Sequence, residues 1–385
     1  MQSDMPDIRE RDDKNVLCSA QQASGGRQDI AKKINLAVLG LDFGERLIGY
    51  DIAEGPGNIY FNLTAVCDRE RHKADKVADK YGVKAYYDLE SLLKDDDIQA
   101  ICLIVSPVGR AELIHKIIKA GKDVMTTKPF EADPNAAGDV LAEAARLGRV
   151  VHANSPGPSL SEDLKCIDNW CREYHLGRSI FVHWYTWCSY REKSDGTWQD
   201  SKEMCPLGSI ARLGIYGIND ILHFFSKPKW LQVMGSRIFT ERPTCDTAEV
   251  SIRFENGAMA TIFASFCISD GVPYPDSMII GFENGVVYRN VGAEKNYPRQ
   301  SIQLQLQTCS GPEQKLITDM KEIDVNNCSG KYQWEAFYRA IHGKRYDEAA
   351  YADQVVSGLR VINAIRRAEA SGKREWIMPH SSEAV

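Results

Sequence analysis

The chain has no apolar run near the roughly 18 residues that a bilayer-spanning helix needs, so a membrane span is set aside. It has no surplus of basic charge. Its 47 Lys and Arg face 53 Asp and Glu, a net of −6, and no basic stripe asks for nucleic acid. None of the 11 cysteines stands in a CxxC pair, and the closest in sequence, Cys166 and Cys171, fall on a predicted helix. The polar, charged first residues lack the apolar core of a signal peptide. Free thiols in a reducing cytoplasm are therefore expected rather than a disulfide framework. None of the 8 histidines lies at ligand spacing with another or with a cysteine pair, so no metal site is read. There is no internal repeat. Low complexity is confined to residues 1–33, which are expected to form a disordered N-terminal extension.

What is present is an alternation of strand and helix. At 385 residues the chain can bury two cores. Ile34–Leu39 (INLAVL) reads as a strand ended by Gly40, and Asn62–Val66 as a second strand ended by Cys67 and Asp68. A helical pattern over Arg69–Tyr81 stops at Gly82. Short strands at Val83–Tyr87, Ala100–Val105, Asp123–Met125 and Val150–Ala153 alternate with helices at Leu89–Lys94, Ala111–Lys119 and Ala132–Leu147. Such alternation predicts a parallel, doubly wound α/β sheet over residues 34–153. Residues 154–385 read differently. Helices at Leu160–Tyr174, Gly208–Phe225, Tyr332–His342 and Ala349–Ala370 accompany strands between Arg178 and Arg289, with hairpin signals at Asn256-Gly257 and Asn284-Gly285. A second, α+β domain with a large and mostly antiparallel open sheet is expected there.

Ligands of a doubly wound sheet sit beyond the carboxyl ends of its strands. Lys128, in Thr127-Lys128-Pro129, stands at that edge. A Rossmann dinucleotide site needs a glycine turn after strand one, a helix N-terminus and an acid ending strand two. Gly40 and Asp68 supply the first and last. A carboxylate at Asp68 favours NAD over NADP, while Arg69 and Arg71 weaken that preference. Against G-x-G-x-x-G, Asp42 and Glu45 replace glycines and Gly44 comes one place early. Two carboxylates oppose a pyrophosphate, so either Arg46 compensates or binding is weak. The glycines could also merely turn the chain. In the second half, Gly214 and Gly217 flank Tyr216 inside a helix. Glycine there costs about 1 kcal/mol relative to alanine, which suggests close approach of a ligand or another backbone. Tyr216 then faces Lys128 as an acid/base, or it is an ordinary core tyrosine.

The stretches VLGLDFG, AVCDRERHKADKVADKYG, AICLIVSP, AGKDVMTTKPF and GSIARLGIYGIND make the chain similar to the glucose–fructose oxidoreductase/inositol dehydrogenase (Gfo/Idh/MocA) family over residues 34–371. The resemblance implies a Rossmann domain, NAD(P), and homodimers or homotetramers through the second sheet. In that family the lysine of a Glu-Lys-Pro motif is catalytic, and it matches Lys128. The proton-transfer histidine of an Asp-x-Gly-x-His-x-x-Asp motif falls on Tyr216. A tyrosine there is similar to the glucose–fructose oxidoreductase and dihydrodiol dehydrogenase branches. Thr127 replaces the motif glutamate, and Arg212 and Asn219 replace its aspartates. Of a Thr-Pro-Asn-x-x-His loop only Ser106-Pro107 remains, with Val108 and Ala111 in the other places.

The expected cofactor residues are Gly40, Asp42, Phe43, Gly44, Asp68, Arg69, Ser106, Pro107, Lys128 and Asn154. The expected substrate residues are Lys128, Trp184, Arg212, Tyr216 and Asn219, with Tyr185, Tyr190, Arg191 and Trp198 as further wall candidates. The implied reaction is hydride transfer between nicotinamide and a hydroxyl-bearing carbon of a sugar, sugar acid or cyclic polyol. Lys128 is expected to hydrogen-bond the reacting hydroxyl. Tyr216 is expected to move the proton, with its pKa lowered by the lysine. Arg212 either receives an anionic substrate or forms an internal ion pair. A more positive pocket should depress the pKa of Lys128 and favour an acidic substrate. Two rival readings stay open: a non-catalytic regulator of the same fold, as in a fungal co-repressor of galactose genes, and a redox-neutral sugar-modifying enzyme with tightly held NAD.

Overall fold

The structure is a computed structural model that describes residues 32–272, 274–293, 298–310 and 315–377. The expectation for residues 1–31 lies outside the described residues.

A six-stranded parallel sheet is built from β1 (Ile34–Leu39), β2 (Phe61–Cys67), β3 (Lys84–Tyr86), β4 (Ala100–Leu103), β5 (Asp123–Thr126) and β6 (Val151–Ala153), in the order β3-β2-β1-β4-β5-β6. The crossovers are α1 (Gly44–Leu47), α2 (Arg71–Tyr81), α3 (Leu89–Leu93), α4 (Arg110–Lys119) and α5 (Pro134–Arg146). Every residue of β4, β5 and β6 is buried, as expected for strands covered on both faces. The strand order reverses between β1 and β4, and the crevice beyond their carboxyl ends is the place for a ligand.

After α6 (Glu162–Glu173) comes a second sheet of nine strands: β7 (Ser179–Trp187), β8 (Pro228–Ser236), β9 (Thr247–Phe254), β10 (Met259–Ser265), β11 (Asp276–Phe282), β12 (Gly285–Arg289), β13 (Ser301–Ser310), β14 (Lys315–Asp324) and β15 (Glu375–Trp376). All its pairings are antiparallel except β10 with β7. One face packs on α6, α7 (Ile215–Ile221) and α9 (Glu348–Ser371), burying Val182, Trp184, Val250, Ile262 and Ile280 with Ile167, Ile218 and Ile365.

Three expectations change. The helix expected over Gly208–Phe225 is a π turn at Ile210–Gly214 followed by α7. The strands β13 and β14 were not anticipated. Residues after 154, assigned to the second half, also serve the first sheet. Trp334, Phe337 and Tyr338 of α8 (Trp334–Ile341) pack with Ile34 and Phe61, while Tyr351, Val355 and Leu359 of α9 pack with Ile114 and Val140.

Candidate functional site

Lys128 follows β5 and Asn154 follows β6, so the pairing of these strands brings the two residues side by side. Asn154 Oδ1 accepts from the Lys128 backbone N–H at 3.0 Å and from Thr127 Oγ1 at 3.3 Å. Its Nδ2 donates to the Tyr216 hydroxyl at 3.3 Å and to the Gly330 carbonyl at 3.0 Å. The Lys128 ammonium lies 4.7 Å from the centre of the Tyr216 ring. Its Nζ donates to the Arg212 carbonyl, on the π turn that leads into α7. Such turns are frequent at functional sites. The two expected catalytic side chains are therefore together, and Asn154 joins them. Asn154 is 5% exposed and its amide makes four hydrogen bonds.

Burial sets the chemistry of the pair. Removal from water pushes the Lys128 amine down to about 7, with the Arg212 and Arg110 charges adding to that and Cys205 opposing it. Burial pushes the Tyr216 phenol up to about 12, although the N–H that Asn154 donates favours its ionised form. The expected lowering of the tyrosine pKa by the lysine does not occur.

The side chains of the remaining substrate candidates are engaged with other partners. Arg212 makes a two-pronged ion pair with Glu192, at 2.5 and 2.9 Å, and its guanidinium lies over Phe266 at 4.7 Å. The internal ion pair is thus the observed alternative. Asn219 is buried and donates to Ser155 Oγ at 3.0 Å, tying α7 to the segment after β6. Trp184 is 3% exposed and lies in the second core rather than on a wall. A Cβ at Gly217 would stand 2.3 Å from its ring, so this glycine makes room for a side chain and not for a ligand. Tyr185 stacks on Trp187 at 5.8 Å, on the opposite face of β7 from Trp184. Arg191 lies over Phe239 at 4.1 Å, and Trp198 opens a short 3₁₀ turn. Tyr190 alone of these neighbours Arg212, 5.3 Å from its guanidinium, and bonds the Tyr274 hydroxyl.

The glycine loop fits a dinucleotide. Gly40 has φ +91°, and a Cβ there would stand 2.2 Å from the Ile104 carbonyl, so β1 and β4 approach closely beside the crevice. Gly44 packs against Val38 and begins α1. Asp42 turns outward to Lys73 at 2.6 Å, and Glu45 lies 3.6 and 3.5 Å from Lys76 and Lys80. Lysines of α2, rather than Arg46, balance the two carboxylates. Asp68 accepts the Leu41 N–H and the Glu70 N–H, both at 2.9 Å, one on each oxygen. Each oxygen keeps a lone pair for a ribose hydroxyl. Phe43 and Arg69 are exposed, Ser106 Oγ accepts from the Val108 N–H at 3.3 Å, and Pro107 is buried.

Residues 34–155 match the oxidoreductase family with an NAD-binding Rossmann fold, Gfo/Idh/MocA, and residues 167–288 match the Gfo/Idh/MocA C-terminal domain. The chain belongs to the Gfo/Idh/MocA family. Among curated relatives, dehydrogenase aclE of Aspergillus oryzae is 38% identical over 93 residues, 23% of this chain and 25% of that one. The scyllo-inositol 2-dehydrogenase (NADP(+)) IolW of Bacillus subtilis is 24% identical over 310 residues, 75% of this chain and 81% of that one. The chain spans about a quarter of the length of the first curated relatives that it matches. An oxidoreductase from Thermotoga maritima superposes with a TM-score of 0.67 at 18% identity, covering 90% of this chain and 99% of that one. No helix among the described residues is long and apolar enough to cross a membrane.

Around Lys128 and Tyr216, the sequence alone does not announce Arg110, Glu131, Glu192 and Gly330. Gly330 lies 176 residues from Asn154, and nothing local marks it as a partner. Glu192 sits in a charged loop that reads as solvated. Arg110 and Glu131 read as helix-end charges, yet they are 1% and 3% exposed.

Proposed function

We propose that the protein transfers hydride between NAD and a hydroxyl-bearing carbon of a sugar, sugar acid or cyclic polyol. The observation that carries this is Asn154, which holds Lys128 and Tyr216 in one hydrogen-bonded unit at the carboxyl edge of the Rossmann sheet.

The dinucleotide, when bound, supplies the hydride acceptor. Gly40, Gly44 and Asp68 would hold it. Lys128, whose amine is largely uncharged just above neutrality, takes the proton from the reacting hydroxyl. Tyr216 keeps its own proton. Its oxygen accepts from Asn154, which leaves its O–H free to donate to the substrate oxygen and stabilise the charge that develops there. Lys128 is thus the proton carrier and Tyr216 the neutral donor, an exchange of the two roles first expected.

Asp68 supports NAD over NADP, as does Arg71, whose guanidinium is drawn 4.2 Å over the Tyr87 ring. Neutral substrates are accommodated as well as acids, since the Arg212 charge is already matched by Glu192. Cytoplasmic location and association through the second sheet belong to the same reading. The sheet face away from α7 carries Phe181, Tyr185 and Trp187, with Met259 56% exposed, an apolar surface of the kind that interfaces use.

The test compares wild type with Lys128→Met and Tyr216→Phe for NADH formation across a panel of sugars, sugar acids and inositols. Lys128→Met should lose about 10²- to 10⁴-fold in turnover, the usual worth of a placed acid/base group, and Tyr216→Phe less. Equal rates in wild type and Lys128→Met would sink the assignment.

A further inference from the structure

We propose that Arg110 is the positioning residue of this site: its buried guanidinium gathers carbonyls from the loops after β4 and β5, and so fixes the turn from which Lys128 projects. Nη1 donates to the carbonyls of Thr127 and Pro129, and to that of Phe130 at 3.2 Å. Nη2 donates to the Val105 carbonyl. Sheet pairing on the β4 and β5 side ends at Leu103 and Thr126, so these carbonyls have no ladder to join. A buried carbonyl without a donor is costly. A planar fork presents N–H groups on separate nitrogens, and here Nη1 and Nη2 serve the two segments at once.

Glu131 completes the device. Its carboxylate accepts from the Ala111 N–H at 2.6 Å, the Gly109 N–H at 3.3 Å and the Ala132 N–H at 2.6 Å. It therefore pins the start of α4, where Arg110 sits, to the end of the lysine turn. The family's motifs place a glutamate before the lysine and a histidine three residues beyond Pro-Asn. This chain has Thr127 and Ala111 at those places, with Arg110 and Glu131 alongside them. The buried cation and anion add a second anchor to a turn that Asn154 already holds through Thr127 and Lys128.

The arrangement has an electrical consequence. Burial brings the Arg110 pKa down only to about 10, so it stays charged at neutral pH. The groups that act on the Lys128 amine are Arg212 from the π turn, Cys205 from the segment before it and Arg110 from α4, with the Tyr216 ring of α7 in contact. Arg110 thus helps to hold Lys128 in its uncharged form besides fixing where it points.

The proposal rests on Lys128 being the proton carrier, so the experiment reads Lys128 in two ways. In the full chain, acetylation of Lys128 by limiting acetic anhydride is followed against pH by mass spectrometry, beside turnover on the sugar panel. Wild type should reach half-reactivity near pH 7. Arg110→Met should move that point upward, the direction expected when a like charge is removed. Arg110→Lys keeps the charge but offers one donor nitrogen in place of the two that serve the separate segments. It should leave the labelling midpoint nearly in place while turnover falls on the order of 10- to 100-fold, as for a small misplacement of a catalytic group. The double variant Arg110→Met/Glu131→Gln removes both buried charges and serves if Arg110→Met alone does not fold. Folded Arg110 variants with the wild-type labelling curve and wild-type turnover overturn the proposal. If Lys128→Met keeps full turnover, the catalytic reading of Lys128 falls. The labelling curves then still decide whether Arg110 governs the lysine.

Discussion

One physical cause, burial, sends the two central side chains in opposite directions. Desolvation disfavours the charged form of each, which lowers an amine and raises a phenol. Lys128 comes to about 7 and Tyr216 to about 12. Oxidation of an alcohol needs the lysine deprotonated, so kcat/KM for NAD-linked oxidation should rise with pH through about 7. Reduction needs it protonated and should fall across the same window. The pH–rate profiles in both directions check this, and an oxidation rate that is flat from pH 6 to 8 contradicts it. Lys128 and Tyr216 were legible in the sequence because a strand edge and a motif mark them. Their tuning was not. It depends first on burial by distant parts of the chain, and then on partners that carry no sequence signature, such as Asn154, 62 residues before Tyr216, and Arg110, which bonds backbone carbonyls.

Among elements, the segment from Ile210 to Ile221 decides how the site meets the second core. Its glycines suggest room for a ligand or backbone, whereas they admit side chains: Ile210 of the same segment and Ile262 of β10 at Gly214, and Trp184 of β7 at Gly217. Sequence shows that a helix has a thin face, but not what fills the gap. Gly217→Ala places a methyl against the Trp184 ring, and neither the ring nor the sheet beneath can move freely. Overpacking of this kind costs about 1–3 kcal/mol, and the helix must lift, taking Tyr216 with it. A lower Tm together with a lower kcat is expected, read by thermal unfolding and turnover on the same preparation. An unchanged Tm contradicts the close contact. Strand legibility varied for a related reason. Ile302, Leu304 and Leu306 alternate with glutamines and so carry a strand signal. The edge strand β14 has no buried face, with Leu316 and Met320 66% and 68% exposed, so periodicity could not mark it.

At the scale of the molecule, the linear division near residue 154 captures the two sheets but not the two cores. An amphipathic helix fits any apolar face, so nothing in α8 or α9 announces which sheet it will cover. In the structure Phe61 of β2 is wedged between Phe337 and Trp334, each 5.5 Å away, and Trp334 Nε1 donates to Asp51 at 3.1 Å. The Rossmann sheet therefore borrows part of its core from a segment nearly three hundred residues along the chain. Losing a buried aromatic such as Phe337 typically costs about 3–5 kcal/mol, a large share of the 5–15 kcal/mol that stabilises an ordinary domain. A fragment of residues 34–154 lacks all of α8 and α9, so Ile34 and Phe61 lose cover on one face and Ile114 and Val140 on the other. That fragment should show no cooperative denaturant transition by circular dichroism. The full chain should unfold with both halves coupled, and Phe337→Ala should lower the midpoint of the whole transition rather than split off an early step. A cooperatively folded fragment would mean that the borrowed helices cover the sheet without being needed to hold it together.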